Sequence, residues 1–478
     1  MPISWELPNL ALKHARMDAR SRGTVVFFLA LMVSPLGRAQ AVPAAPAGLD
    51  AGPADLKIAA AMQDVSVSKI QANIEKLASF QTRSTLSPQD AAAVASGRGI
   101  GAAREWIKSE FERYSHDCGG CLEVKTDTFQ YGPADRIPRP VQVTNVYAIL
   151  RGTSGDDQQR AVLVTGHYDS RNSDVLDATG AAPGANDDAS GTAVSLECAR
   201  VLSKLRFPAT IIFLTVAGEE QGLIGSSHFA QMARAAGWNI IAVLNDDIVG
   251  GDRSPGQSGS VVRVFSEGIP SAATDADLHR MRNLGGENDS PSRQLARYIA
   301  QVARSYAIDL KPVLVFRSDR YLRGGDQSSF NELGIAAVRF TEFRENYDHQ
   351  HQNLRTENGI EYGDLPGFVN FDYVADVARL NAAALASLAS APAPPPDVHL
   401  LTKELQNDST LTWGTSSGAS AYEVLWRDTT SPEWEHVKLA GKITRITLPL
   451  SKDNVIFAVR AVNPAGFRSI PVVPQPEH

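Results

Sequence analysis

Apolar positions recur three and four apart over residues 66–82 and 100–114, so each segment reads as a helix with one face to bury. Val141–Leu150 (VQVTNVYAIL) reads as a strand. Ala161–Thr165 (AVLVT) and Thr210–Val216 (TIIFLTV) are unbroken apolar runs, as expected of strands buried on both faces. Between these two runs a helix is predicted over 189–206, capped by Asp188 or Ser190 and stopped near Pro208. Helix 223–236, strand 240–244, helix 291–307, strand 312–316, strand 335–340 and helix 366–389 follow, with one long loop over 250–290. Strands alternating with helices predict an α/β fold over 56–390, a mostly parallel twisted sheet sandwiched by helices. After a Pro-rich linker, 391–396 (APAPPP), the pattern shortens to alternating strands. Ser409–Trp413, Ala421–Arg427, Ile443–Pro449 and Val455–Val462 predict a small all-β sandwich over 397–475 at the C-terminus.

The N-terminus reads as an address. Arg16, Arg20 and Arg22 precede the apolar run Val25–Val33, which is too short to span a bilayer, and Ala39-Gln40-Ala41 fits a small-x-small cleavage site. A signal peptide over 1–41 and a flexible leader over 42–55 are expected, with a secreted or periplasmic protein that has no membrane span after cleavage. In an oxidising compartment Cys118 and Cys121 read as a local disulfide clip and Cys198 as a buried free thiol. Lysine and arginine number 46 against 53 acidic residues, a net charge of −7, so no basic footprint for nucleic acid is present. Three cysteines exclude a disulfide-rich scaffold.

Five places carry metal-ligand side chains, each near the end of a predicted strand, where open parallel sheets place their ligands. In Gly166-His167-Tyr168-Asp169 the imidazole can bind a metal while Asp169 fixes its tautomer, though His-x-Asp alone is weak evidence. In Gly184-Ala185-Asn186-Asp187-Asp188 a helix cap explains one aspartate and a bridging carboxylate the other. In Gly218-Glu219-Glu220-Gln221 one glutamate can bind metal and the other act as general base; the bland alternative is a pair of acids at a solvated helix start. Asn245-Asp246-Asp247 and Asp348-His349-Gln350-His351 complete the set. A mixture of His, Asp and Glu suits a pair of zinc ions better than Ca²⁺ or Mg²⁺. Glu342 is a candidate wall residue or a plain surface glutamate, and Arg323-Gly324-Gly325-Asp326 a candidate pocket lining or a plain turn.

In this order the motifs resemble the co-catalytic di-zinc aminopeptidase family, which includes bacterial leucyl aminopeptidases, glutamate carboxypeptidase II and the transferrin-receptor ectodomain. The likeness covers about 140–390, with GANDDASG and AGEEQGLIGS its most specific stretches. It implies two Zn²⁺ per chain: His167 and Asp247 on the first, Asp187 bridging, and Glu220 and a late histidine on the second. It implies Glu219 as general base, Asp169 as the orienter of His167, and hydrolysis by a hydroxide held between the ions. The family pattern His-Thr-x-x-Asp-Thr is altered here to HQHQNLRT. The offset to Thr356 favours His351 over His349, and Arg355 stands where the aspartate is usual. The implied activity is removal of N-terminal residues from peptides or proteins. A di-zinc carboxypeptidase or dipeptidase, a glutaminyl-cyclase-like transferase and a ligand-free scaffold are the alternatives on the same fold. The tail resembles a fibronectin type III domain, which implies binding of a partner or carbohydrate, or an inert appendage.

Overall fold

The computed structural model describes residues 48–155 and 159–477; the expected signal peptide and the first part of the leader lie outside them. The chain opens with α1 (Leu56–Gln63), α2 (Val67–Ala78), α3 (Ala91–Ala95) and α4 (Gly99–Asp117), then β1 (Leu122–Tyr131), β2 (Val141–Leu150) and β3 (Arg160–His167). Next come α5 (Ala189–Leu202), β4 (Thr210–Val216), α6 (Ile224–Ala235) and β5 (Asn239–Asp246). They are followed by β6 (Val261–Ser266), α7 (Asp275–Leu284), α8 (Pro291–Ser305), β7 (Lys311–Val315), α9 (Gln327–Asn331) and β8 (Ala337–Glu342). A hairpin of β9 (Arg355–Glu357) and β10 (Ile360–Tyr362) precedes α10 (Phe371–Ser390).

Strands β1 to β8 form one sheet in the order β1-β2-β4-β3-β5-β8-β6-β7. Its centre, β4-β3-β5-β8, is parallel throughout, as is the β6–β7 pair; the pairings β1–β2, β2–β4 and β6–β8 are antiparallel. Side chains of β3 alternate between two cores. Val162 and Val164 pack with α5 and α10, whereas Leu163 packs with Phe229 of α6 and Phe330 of α9. Helix α5 is buried along almost its whole length, with Ser190, Thr192, Ser195 and Glu197 among its buried residues, as its place between sheet and α10 requires. Its first turn touches the sheet closely. A Cβ on Gly166 would meet the Gly191 carbonyl carbon at 2.4 Å, and one on Gly191 would meet the Asp246 oxygen at 1.9 Å. Glycine at both positions lets the start of α5 wedge between the ends of β3 and β5.

Residues 250–290 are not one long loop: they hold β6, which extends the sheet, and α7, whose residues are all accessible. Strand β1 (LEVKTDTFQY) was also absent from the sequence reading, and residues 366–368 form a separate 3₁₀ turn before α10. Cys118 and Cys121 are bonded and Cys198 is a buried free thiol.

The C-terminal strands are β11 (His399–Leu401), β12 (Ser409–Thr412), β13 (Ala421–Asp428), β14 (His436–Gly441), β15 (Arg445–Leu448), β16 (Val455–Val462) and β17 (Gln475–Glu477). They form two small sheets, β15-β12-β11-β17 and β14-β13-β16. These pack on α8 through polar anchors. The Arg427 guanidinium donates to both oxygens of Asp289 (2.9 and 2.8 Å), Arg297 donates to the same carboxylate (3.1 Å), and the buried Trp434 indole donates to Gln294 (3.0 Å). Part of the expected leader is held at the same seam rather than free. The N–H of Leu49 donates to the Trp434 carbonyl and that of Ala51 to the Gln301 carbonyl. Asp289→Ala would leave two buried guanidiniums without their counter-charge. Breaking such a pair costs about 3–5 kcal/mol. A fall of that size in unfolding free energy, read from urea denaturation, is the expected result.

Candidate metal centre

Strands β4, β3 and β5 run parallel side by side, so their carboxyl ends open at one edge of the sheet. Strand β3 ends on His167, β4 leads into Glu219 and Glu220, and β5 leads into Asp247. Asp187 arrives from the loop before α5, and His351 from the loop after β8. Side chains far apart in sequence therefore meet at one point.

Asp187 is central. Its Oδ1 lies 3.1 Å from His167 Nε2 and its Oδ2 lies 3.0 Å from His351 Nε2, so its two oxygens face two different imidazoles. Asp247 Oδ1 lies 3.9 Å from His167 Nε2, and Glu220 Oε2 lies 3.0 Å from His351 Nε2. Two groups have ligand atoms within 4.8 Å of one another: His167, Glu219 and Asp247, and Asp187, Glu220 and His351. His167 Nε2 is buried and makes no hydrogen bond. Burial pushes Glu219 and Glu220 up from the usual carboxylate range; Asp187, equally buried, is held well below it by His351 and His167. Three buried carboxylates and the half-buried Glu219 beside two imidazoles call for cations, and a nitrogen and oxygen donor set suits zinc.

Residues 145–363 match the model of peptidase family M28. A probable zinc metalloprotease of Pyrenophora tritici-repentis is 46% identical over 431 residues, covering 89% of this chain and 88% of its own. The chain belongs to peptidase family M28. A probable zinc metalloprotease of Leptosphaeria maculans is likewise 46% identical, covering 88% of this chain and 97% of its own. Among solved structures the chain is similar to the LapA aminopeptidase of Legionella pneumophila (22% identity, TM-score 0.49, 70% of this chain and 75% of that one). It is also similar to a glutaminyl cyclase of Porphyromonas gingivalis (17% identity, TM-score 0.45, 67% and 98%). This M28 chain is a zinc metallopeptidase.

In this M28 peptidase each pair of adjacent acids divides its work. Asp188 caps α5, taking the N–H of Gly191 (2.9 Å) and that of His167 (2.9 Å), which leaves Asp187 to the cluster. Asp246 takes the Asn381 amide (2.8 Å) and faces away from it. His167 Nδ1 lies 3.2 Å from the Asp169 backbone carbonyl, and the Asp169 side chain has a wider reach. Its carboxylate lies 3.4 Å from His167 Nδ1 and also accepts the N–H groups of Glu219 (3.3 Å) and Glu220 (3.2 Å), so it sets the Glu-Glu turn as well. His351 joins the cluster, whereas His349 stacks on Phe368 and pairs with Asp252. Glu342 is neither a wall residue nor a surface one. It is fully buried behind the site, accepts from Asn186 (3.1 Å) and the Asp252 N–H (2.8 Å), and is pushed by burial to about 8. Arg355 lies exposed on β9.

Sequence reasoning missed the groups that hold the side chains of the cluster. Arg339 grips Asp247 at 2.7 Å and Asp319 at 3.3 Å, and Gln350 donates to Asp187 Oδ2 at 2.9 Å. Asp364 accepts the N–H groups of Asn186 (2.8 Å) and Asp187 (2.7 Å). Arg83 is fully buried and ties together the loops that carry His167 and Asp187, donating to the carbonyls of Leu77, Tyr168, Pro183 and Gly184. Arg83→Met keeps the bulk but strands four carbonyls. Each costs about 1–3 kcal/mol when left dry, so a loss of at least about 3 kcal/mol in denaturation free energy is expected. Arg83→Lys restores only part of it, because an ammonium lacks the fork.

Proposed function

We propose that this peptidase is an exported aminopeptidase that works with two zinc ions. His167, Asp187 and Asp247 would hold one, and Asp187, Glu220 and His351 the other. The observation that carries this reading is Asp187, whose two oxygens each face a different imidazole at 3.1 and 3.0 Å. Bound there, the metals supply Lewis-acid polarisation of a peptide carbonyl and lower the pKa of a water. Glu219 is the residue for the proton. It lines the same cavity as Asp187, Glu220 and His351, and its N–H is tethered to Asp169. Burial raises its proton affinity, which favours taking a proton from water and returning it to the departing amine.

The stretch between Glu220 and His351 supports an aminopeptidase over a carboxypeptidase or dipeptidase with an inserted domain. It is spent on α6 to α9 and on β5 to β8, all four of which belong to the main sheet. Export rests on the N-terminal Arg-rich and apolar pattern; no helix among the described residues is long and apolar enough to cross a membrane. The two small C-terminal sheets support a fibronectin type III-like module.

The test is a pair of peptides identical but for N-acetylation. The free-amine peptide should lose its first residue and the acetylated one should stay intact. Removal of the last residue from both would overturn the reading in favour of a carboxypeptidase.

A further inference from the structure

The metal cluster opens into a cavity of about 400 Å³ whose wall is unusual in charge. Its lining carboxylates are Asp187, Glu219, Glu220 and Asp247, all part of the cluster itself. The rest of its charged lining, His351 aside, is arginine: Arg136, Arg171, Arg320 and Arg323.

Their counter-charges are too few. Arg136 donates to the carbonyl of Glu220 (3.2 Å), and Arg171 to the carbonyls of Asn172 (3.0 Å) and Ser173 (3.3 Å). Among the described residues neither has a carboxylate within ion-pair distance. Arg320 and Arg323 share one oxygen of Glu345, at 2.8 and 3.2 Å, while its other oxygen takes Arg263 at 2.9 Å. Asp319 is likewise divided, between Arg320 (3.1 Å) and Arg339 (3.3 Å). With Asp247 given to a metal, two carboxylates serve four guanidiniums behind this wall. The Arg323 side chain stays 32% accessible, free to turn toward a ligand. Guanidinium forks match carboxylates bidentately, and an unpaired pair of them repels a cation.

We propose that the substrate carries a carboxylate, seated on Arg171 and Arg323 with Arg136 and Arg320 beside them. The inference rests on the reading of the neighbouring cluster as a peptidase centre. Two sources offer that group: an acidic side chain on the N-terminal residue, or the free C-terminus of a dipeptide.

The test uses the zinc-loaded full chain. Glu- and Gln-4-nitroanilide differ only in side-chain charge, and Leu-Gly and Leu-glycinamide only in the terminal one. At least a tenfold advantage in kcat/KM is expected for the charged member of one pair, the first pair naming the side chain and the second the C-terminus. Arg323→Glu and, separately, Arg171→Ala should cut that ratio about tenfold or more, the weight of a charge-assisted hydrogen bond. Arg445→Glu, an exposed charge change on β15 of the C-terminal sheets, should leave it alone. Equal rates within both pairs, or ratios untouched in both cavity variants, would overturn the proposal. If the chain cleaves none of the four, the aminopeptidase reading fails by itself. Calorimetry with glutarate against glutaramate then decides the anion site. Tighter glutarate binding that is lost in the two arginine variants supports the site, and equal binding overturns it.

Discussion

Glu219→Gln is expected to keep its zinc and to lose roughly 10²–10⁴-fold in kcat, the weight of a positioned general base. The substitution keeps the shape of the side chain and removes its proton affinity. The Glu219 backbone is fixed from elsewhere, by the turn between β4 and α6 and by Asp169 at 3.3 Å, so the fold around it should survive. The same carboxylate lies within ligand distance of His167 and Asp247. Metal content therefore separates two roles. Two equivalents of zinc with little activity identify a base. One equivalent identifies a ligand, and the base must then be sought elsewhere. Full activity with full zinc contradicts both.

Asp187→Ala is expected to fall at least as far, for a different reason. Among the described residues Asp187 is the one carboxylate that reaches both imidazoles, so its loss weakens both metal positions together. Bound below two equivalents, zinc gives up several kcal/mol of charge stabilisation, roughly 10³-fold or more in rate. Asp247→Ala and Glu220→Ala each touch one imidazole only, so each should cost one equivalent. The pattern across three variants, read by metal analysis after dialysis, is more telling than any single rate. Equal loss in all three would mean that Asp187 has no special place. Circular dichroism melts check that Asp187→Ala stays folded, since Asp364 still binds the neighbouring N–H groups.

Much of this was legible because the signal was local. Thr210–Val216 reads as a strand from seven residues alone, and its place in a parallel centre accounts for its apolarity on both faces. The motifs of the cluster each sit at a strand end, so their order along the chain carried their meeting in space. The choice of His351 over His349 rested on a short offset to Thr356, and geometry puts His351 beside Glu220. What failed was either faint or non-local. Val261–Ser266 carries apolar residues, but the glycine- and serine-rich stretch before it suggested a loop. Helix α7 buries no side chain, so it has little periodicity to read; only its Thr274–Asp277 capping box announces it. Arg83, Arg339 and Asp364 each act through several contacts, most of them with loops far away in sequence. No spacing rule marks an arginine as the binder of three distant carbonyls and a nearer one. Glu342 looked like a surface acid because its partners, Asn186 and Asp252, arrive from the loops before α5 and after β5.

The account turns on two metals meeting at Asp187, and one titration addresses it most directly. The purified chain would be stripped with chelator and zinc returned stepwise, with hydrolysis of an aminoacyl-4-nitroanilide panel followed at each step. Activity should vanish on stripping and return fully only as the second equivalent binds. Hydrolysis that survives complete metal removal, or that saturates at one equivalent, would contradict the account.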